Sequence, residues 1–164
     1  MPELLRSVAL VSAVISGAAL VQPAALYQRA MAHTDGHAFA AGEPGNPKKP
    51  FRVIEITMTD GPGTMTFSPD RIQVRKGEQI KFVLKNTGYL PHEFLIDSFE
   101  QNAKHKLEME EHPVMEHDEL NGRRVDSKKS DEILWRFTKA GTFEFACLIP
   151  GHYEAGMKGT VVVK

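Results

Sequence analysis

The sequence contains very little cysteine, no clear excess of charge of either sign, and no internal repeat. Its 164 residues include one cysteine, Cys147, so an intramolecular disulfide cannot form. The formal net charge is -1 at pH 7, which gives no electrostatic reason to expect nucleic-acid binding. A chain of this length can bury enough apolar surface for one domain without disulfide bonds.

Motifs of several enzyme classes are also absent. The sequence shows no Ser/His/Asp arrangement typical of nucleophilic catalysis and no glycine-rich loop that would cradle a phosphate. The sequence also contains no nucleic-acid-binding motif. The single thiol, Cys147, is a buried core residue, an intermolecular bridge or a metal ligand, and its neighbours in the sequence bear on which.

Residues 1–32 have the features of an export signal. Arg6 precedes an apolar, small-residue run over residues 8–26, and Ala30-Met31-Ala32 matches the pattern of a signal-peptidase site. Pro23 interrupts the run, so a transmembrane anchor is the less favoured alternative. The segment has no Arg-Arg pair, which favours the general secretory route. We therefore predict a periplasmic protein with no stable membrane anchor after cleavage.

The remaining chain divides into a leader and a β-rich domain. Residues 33–50 are rich in Gly, Ala, Pro and Lys and are predicted to form a flexible leader. Residues 51–164 alternate apolar and polar side chains in about seven or eight short segments separated by turn residues. This pattern predicts an all-β domain built as a two-sheet sandwich.

A charged stretch over residues 98–131 interrupts the strand pattern and is predicted to be an insert. Ser98 is followed three residues later by Gln101, which resembles a helix capping box. We therefore expect a helix from about residue 99 to residue 111, ending before Pro113.

The loop that starts at Cys147 carries a thiol, an imidazole and a thioether. Cys147, His152 and Met157 lie between the last two predicted strands, and Gly156 allows the chain to turn before Met157. His92, which follows a proline at the start of another strand, is a candidate for a second imidazole. A thiolate, two imidazoles and a weak axial thioether are the ligands of a blue-copper centre. The alternative is that Cys147 and Met157 are core residues and that the histidines lie on the surface.

The Cys-x4-His-x4-Met loop with its upstream Pro91-His92 resembles the cupredoxins, the plastocyanin/azurin family of type 1 copper proteins. The spacing is similar to that of rusticyanin and auracyanin, and the resemblance covers about residues 51–164. It implies a Greek-key β-sandwich that holds one copper ion between His92, Cys147, His152 and Met157. Glu93 stands where many relatives carry Asn or Ser, so the resemblance does not specify the hydrogen bonding of the sulfur.

The insert holds a second group of candidate copper ligands. His105, Met109 and His112 follow helical spacing i, i+4 and i+7, and Met115 and His117 come next in the chain. Histidine and methionine suit copper, and methionine suits Cu(I) especially. The alternative is a solvated acidic helix with one apolar face.

The leader adds His33 and His37 to these candidates. If cleavage follows Ala32, the amine and imidazole of His33 could chelate Cu(II) together. His- and Met-rich additions on an exported cupredoxin resemble the copper-tolerance cupredoxins of bacterial periplasms, the CopI type. Additional copper beyond the type 1 ion is therefore a further expectation.

These resemblances leave two functions open. The first is periplasmic copper tolerance, with copper cycling between Cu(I) and Cu(II). The second is a diffusible electron carrier that docks a redox partner near His152 through an apolar ring. The ring is predicted to comprise Tyr89, Leu90, Pro91, Leu148, Ile149 and Pro150. An enzyme is not expected, because copper nitrite reductases and multicopper oxidases use further cupredoxin domains, and this chain has no His-x-His pair.

Overall fold

The computed structural model describes residues 39–112 and 119–164. Short strands dominate this part of the chain, and a single helix interrupts them. The elements are β1 (Gly42–Pro44), β2 (Arg52–Gly61), β3 (Thr64–Ser68), β4 (Arg71–Val74), β5 (Gln79–Asn86), β6 (His92–Asp97), α1 (Phe99–Glu111), β7 (Gly122–Val125), β8 (Ser130–Phe137), β9 (Gly141–Ala146) and β10 (Lys158–Val163).

The strands form two five-stranded sheets. The first sheet has the order β1-β8-β5-β2-β3, and the second has the order β4-β10-β9-β6-β7. Most neighbours are antiparallel, but β2 pairs with β5 in parallel, and β4 pairs with β10 in the same way. Because parallel strands cannot be joined by a tight hairpin, the chain crosses from one sheet to the other between them. The predicted all-β sandwich with Greek-key crossovers is confirmed.

Alternate residues of the strands build the core between the sheets, as the sequence pattern predicts. The buried apolar side chains of β5 and β8 are Ile80, Phe82, Leu84, Ile133, Trp135 and Phe137. From the facing sheet, Phe94 of β6 and Phe145 of β9 are fully buried, with ring centroids 5.1 Å apart. Close packing at these rings holds β6 and β9 in fixed relative positions, and both strands lead to the predicted copper ligands.

The helix α1 packs on the outer face of the second sheet. The Ser98 hydroxyl accepts a hydrogen bond from the Gln101 N–H at 3.2 Å, so the predicted N-cap forms. The predicted helix bounds agree with α1. A second apolar cluster joins the helix to β6 and to the end of β9, and it comprises Leu95, Met109, Ala146 and Leu148, with Tyr153 packed against it.

Two segments that the sequence analysis assigned outside the sandwich each contribute a strand to its sheets. The predicted flexible leader, residues 33–50, contains β1, which pairs with β8. The predicted insert, residues 98–131, contains β7, which pairs with β6. Strands of 3 and 4 residues are too short to show a clear alternation.

Gly42 lies in close contact with β8 and is not part of a flexible leader. A Cβ atom at this position would lie 2.0 Å from the Arg136 carbonyl oxygen, and the residue has a φ of +152°. The glycine therefore serves close strand pairing, although glycine in the sequence suggests flexibility. Ala41 beside it is fully buried.

The predicted signal, residues 1–32, lies outside the described residues, as do His33 and His37 of the leader. Met115 and His117 of the insert lie outside them too. Within residues 39–112 and 119–164, α1 is too short and too polar to cross a bilayer, and no other helix there qualifies.

The packing of Met109 gives a prediction about stability. Met109→Ala should lower the free energy of unfolding of the metal-free protein by about 2–5 kcal/mol, because it opens a cavity between α1 and the sheet. Met109→Leu should cost less than about 1.5 kcal/mol, since volume and polarity are nearly conserved. Urea unfolding followed by circular dichroism measures both changes.

The matched control is Leu107→Ala on the same helix. Leu107 is 60% exposed, so its truncation should change stability by no more than about 0.5 kcal/mol. Equal effects of the substitutions at 107 and 109 would show that α1 does not pack through Met109.

Candidate metal centre

The loop that follows β9 is closed by its own backbone hydrogen bonds. The Cys147 N–H donates to the Met157 carbonyl at 3.0 Å, and the Met157 N–H donates to the His152 carbonyl at 3.1 Å. Gly151 and Gly156 have φ values of +88° and +103°, which glycine adopts without strain. The loop therefore folds back on the strand end, so that its first and last residues lie side by side.

His92 reaches the same place from β6 in the same sheet. His152 Nδ1 lies 3.3 Å from Cys147 Sγ and 3.3 Å from His92 Nδ1. The three potential ligand atoms all lie within 4.8 Å of one another, and all three residues are buried. We call this cluster of His92, Cys147 and His152 the ligand triad.

Met157 is the fourth residue that the sequence analysis predicted as a ligand. It is fully buried and belongs to the same core cluster as Cys147. Its backbone bonds to both Cys147 and His152 place it beside the ligand triad at the end of the loop. The structure therefore brings the four residues into one region of the core, at one end of the sandwich.

Glu93 contributes one hydrogen bond to the sulfur through its backbone, while its side chain bonds the neighbouring residue of the loop. Its backbone N–H donates to Cys147 Sγ at 3.2 Å, and its side-chain Oε2 accepts from the Leu148 N–H at 3.2 Å. Glu93 thus contacts both the Cys147 thiol and the backbone of Leu148. Burial raises the pKa of the Glu93 carboxyl to about 7, although the Leu148 N–H opposes this shift.

Asp60, on β2 of the other sheet, contacts the outer edge of His92. Asp60 Oδ1 lies 3.0 Å from His92 Nε2. The sequence analysis missed this residue, because an aspartate before Gly61-Pro62-Gly63 looks like part of a turn. The two residues are 32 positions apart, and no local pattern in the sequence relates them.

Burial dominates the electrostatics of the metal-free ligand triad. It raises the pKa of the Cys147 thiol to about 12, and the Glu93 N–H opposes this only in part. Burial, followed by the neighbouring His92, lowers the pKa of His152. The metal-free site therefore holds a protonated thiol and a neutral His152. A metal ion that binds there has to displace the thiol proton.

The donor chemistry of the ligand triad fits copper. Two imidazole nitrogens and one soft sulfur, with a thioether residue adjacent, are the donor types of type 1 copper sites. The donors are buried, so few water molecules can compete for the ion. This donor set supports copper as the cofactor of the site.

The insert residues of the predicted second copper region have separate environments. Met109 is 2% exposed and packs against the sheet, so apolar packing accounts for it. His105 Nδ1 lies 3.5 Å from Glu119 Oε1 and 3.8 Å from Glu108 Oε2. His112 is the exposed C-cap of α1. Met109 thus takes part in the apolar packing of the helix, and copper binding by the insert stays a prediction.

The predicted apolar ring around His152 also needs a correction. Leu148 is 1% exposed because strand alternation points it toward α1. Tyr89 is 80% exposed and Leu90 is 43% exposed, so part of the ring does lie at the surface. His152 itself is 8% exposed.

Comparison with known proteins agrees with this geometry. Residues 54–164 match the model of the copper-binding proteins of the plastocyanin/azurin family. A copper-resistant cuproprotein CopI from Rubrivivax gelatinosus is 44% identical over 151 residues, covering 90% of each chain. The CopI of Pseudomonas aeruginosa is 34% identical over 176 residues, covering 90% of this chain and 95% of that protein.

A solved structure supports the fold independently. Auracyanin B superimposes with a TM-score of 0.61 and 19% identity, covering 76% of this chain and 96% of that chain. At this identity the likeness shows the fold alone. Together, the family match and the CopI relatives indicate a copper-binding protein and not an enzyme. The chain belongs to the plastocyanin/azurin family of copper-binding proteins.

Proposed function

We propose that this protein holds one redox-active copper ion with His92, Cys147, His152 and Met157 and serves copper tolerance in the periplasm. The observation that carries the proposal is the buried ligand triad, whose donor atoms lie within 4.8 Å of one another. Residues 1–32 would direct export through the general secretory route. The similarity to two proteins named as copper-resistant cuproproteins supports the tolerance role.

The protein fixes the positions of the donor atoms and shields them from water. Bound copper would supply one-electron redox chemistry. The end of β9 positions Cys147, the start of β6 positions His92, and the loop hydrogen bonds position His152. Because these groups are buried in a close-packed core, they change little when the charge at the site changes. Small rearrangement suits repeated cycling between Cu(I) and Cu(II).

An electron carrier remains the second candidate function. Exposed Tyr89 and Leu90 near the site favour it, because apolar surface suits brief docking with a redox partner. The burial of His152 and Leu148 counts against it, since a docking partner needs access to the imidazole edge. The balance of these observations favours copper tolerance.

Copper titration of the mature protein tests the proposed centre. The wild type should bind copper with intense visible absorption and a type 1 EPR signal, since thiolate coordination produces both. Cys147→Ala should remove the colour while the metal-free variant stays folded, as checked by circular dichroism. A colourless copper-loaded wild type would contradict the proposal. Copper beyond one equivalent would indicate binding by the insert or leader histidines.

Met157→Leu tests the fourth ligand. The variant should keep its copper and its colour, because the ligand triad is intact and the swap nearly conserves volume. Loss of the thioether should raise the reduction potential by on the order of 59 mV, equivalent to a tenfold change in a one-electron equilibrium. Protein-film voltammetry measures the shift. A potential equal to that of the wild type would show that Met157 does not act as a ligand.

Gene deletion separates the two functions in cells. Cells without the gene should grow poorly in copper, and a wild-type copy should restore growth whereas a Cys147→Ala copy should not. Growth on a respiratory substrate without added copper serves as the control and should not change. Normal copper tolerance together with failed respiration would replace the tolerance proposal by the electron-carrier function.

A further inference from the structure

The carboxylate of Asp60 lies against the outer nitrogen of His92. Asp60 Oδ1 is 3.0 Å from His92 Nε2, while His92 Nδ1 lies 3.3 Å from His152 Nδ1. The side chain of His92 is fully buried, and that of Asp60 is 12% exposed. The imidazole is therefore held between a carboxylate on one side and the rest of the ligand triad on the other.

The loop before His92 wraps around the same carboxylate. The Tyr89 N–H donates to Asp60 Oδ1 at 2.8 Å and to Oδ2 at 3.1 Å, and the Leu90 N–H donates to Oδ1 at 3.3 Å. A Cβ atom on Gly88 would lie 1.7 Å from Asp60 Oδ1, so this close approach requires glycine. The carboxylate thus occupies a specific, preformed position and is not a mobile surface group.

These contacts determine which ring nitrogen of His92 donates a hydrogen bond. The backbone N–H groups of Tyr89 and Leu90 both donate to Asp60, so the carboxylate is fixed as a hydrogen-bond acceptor beside the imidazole. A carboxylate oxygen that already accepts from backbone N–H groups also accepts from the imidazole, so His92 donates from Nε2. In the neutral imidazole this leaves the lone pair on Nδ1, the nitrogen that faces the other ligands.

We propose that Asp60 is a positioning residue that holds His92 with Nδ1 toward the metal and lowers the reduction potential of the centre. The inference rests on the proposed copper site. A carboxylate that accepts the second N–H of a metal-bound histidine orients the ring and increases its basicity. Its negative charge also stabilises the more highly charged oxidised state of a nearby metal. Asp60 thereby favours Cu(II) over Cu(I).

Two substitutions distinguish the effect of the Asp60 charge from the effect of its hydrogen bond with His92. Asp60→Asn retains Oδ1, which makes contacts to His92, Tyr89 and Leu90, but removes the charge. It should keep the type 1 spectrum and shift the one-electron equilibrium about tenfold toward Cu(I), a rise of about 59 mV in potential. Asp60→Ala removes both features and should also weaken Cu(II) binding by about 10–100-fold.

Glu55→Gln is the matched control. Glu55 lies on the same strand, is exposed, and pairs with Lys85 at 2.6 Å. Its substitution also removes one negative charge, but it should leave the potential, the spectrum and the copper affinity unchanged. Voltammetry, EPR and competition with a copper chelator measure the three quantities, and urea unfolding of the metal-free variants checks their folding.

A potential for Asp60→Asn equal to those of the wild type and Glu55→Gln would overturn the proposal. NMR of the metal-free wild type provides a second test that does not depend on whether any variant folds. The ring proton of His92 in its neutral form should be on Nε2. A proton on Nδ1 would overturn the assignment. If the wild type itself shows no type 1 spectrum, the proposed copper site fails, whereas the tautomer of His92 still reports on the Asp60 contact.

Discussion

The hydrogen bonds of Glu93 connect the two parts of the chain that supply the ligand triad. Its backbone N–H donates to Cys147 Sγ, and its carboxyl accepts from the N–H of Leu148. Because Glu93 directly follows His92, the contact that aligns the sulfur also sets the distance between β6 and the loop after β9. On the same side of this connection, His92 Nδ1 lies 3.3 Å from His152 Nδ1.

The two apolar layers around β9 explain how the site stays rigid. Cys147 belongs to the core between the sheets, whereas its neighbours Ala146 and Leu148 belong to the cluster under α1. Alternation along an extended chain sends successive side chains to opposite faces, so the strand end is packed on both sides. The helical insert is therefore part of the support of the metal centre through Met109. This packing role differs from the ligand role that its spacing with His105 and His112 suggests.

A buried carboxyl, Glu93, and a partly buried one, Asp60, lie on opposite sides of the ligand triad and have different effects. Glu93 contacts the sulfur side, where burial favours its neutral form and raises its pKa to about 7. Asp60 contacts His92 on the opposite side, where backbone N–H groups keep it ionised. A charge beside the imidazole and a hydrogen bond at the sulfur are two separate means by which a protein sets the potential of a metal. A hydrogen bond donated to a thiolate withdraws electron density from the sulfur, whereas a negative charge beside the imidazole favours a more highly charged ion, so the two contacts act in opposite directions on the potential.

The amino-acid sequence by itself determined the strand pattern, the bounds of α1 and the residue types of the copper loop. Each of these depends on side chains a few positions apart, such as Ser98 with Gln101 or Cys147 with His152 and Met157. Only the tertiary structure decided that β1 and β7 join the sheets, that Met109 and Leu148 are buried, and that Asp60 contacts His92. The physical reason is that these features depend on contacts between residues far apart in the chain, 32 positions for Asp60 and His92 and 54 for Glu93 and Cys147. Periodicity within one segment contains no information about such distant partners, whose meeting depends on the packing of the two sheets.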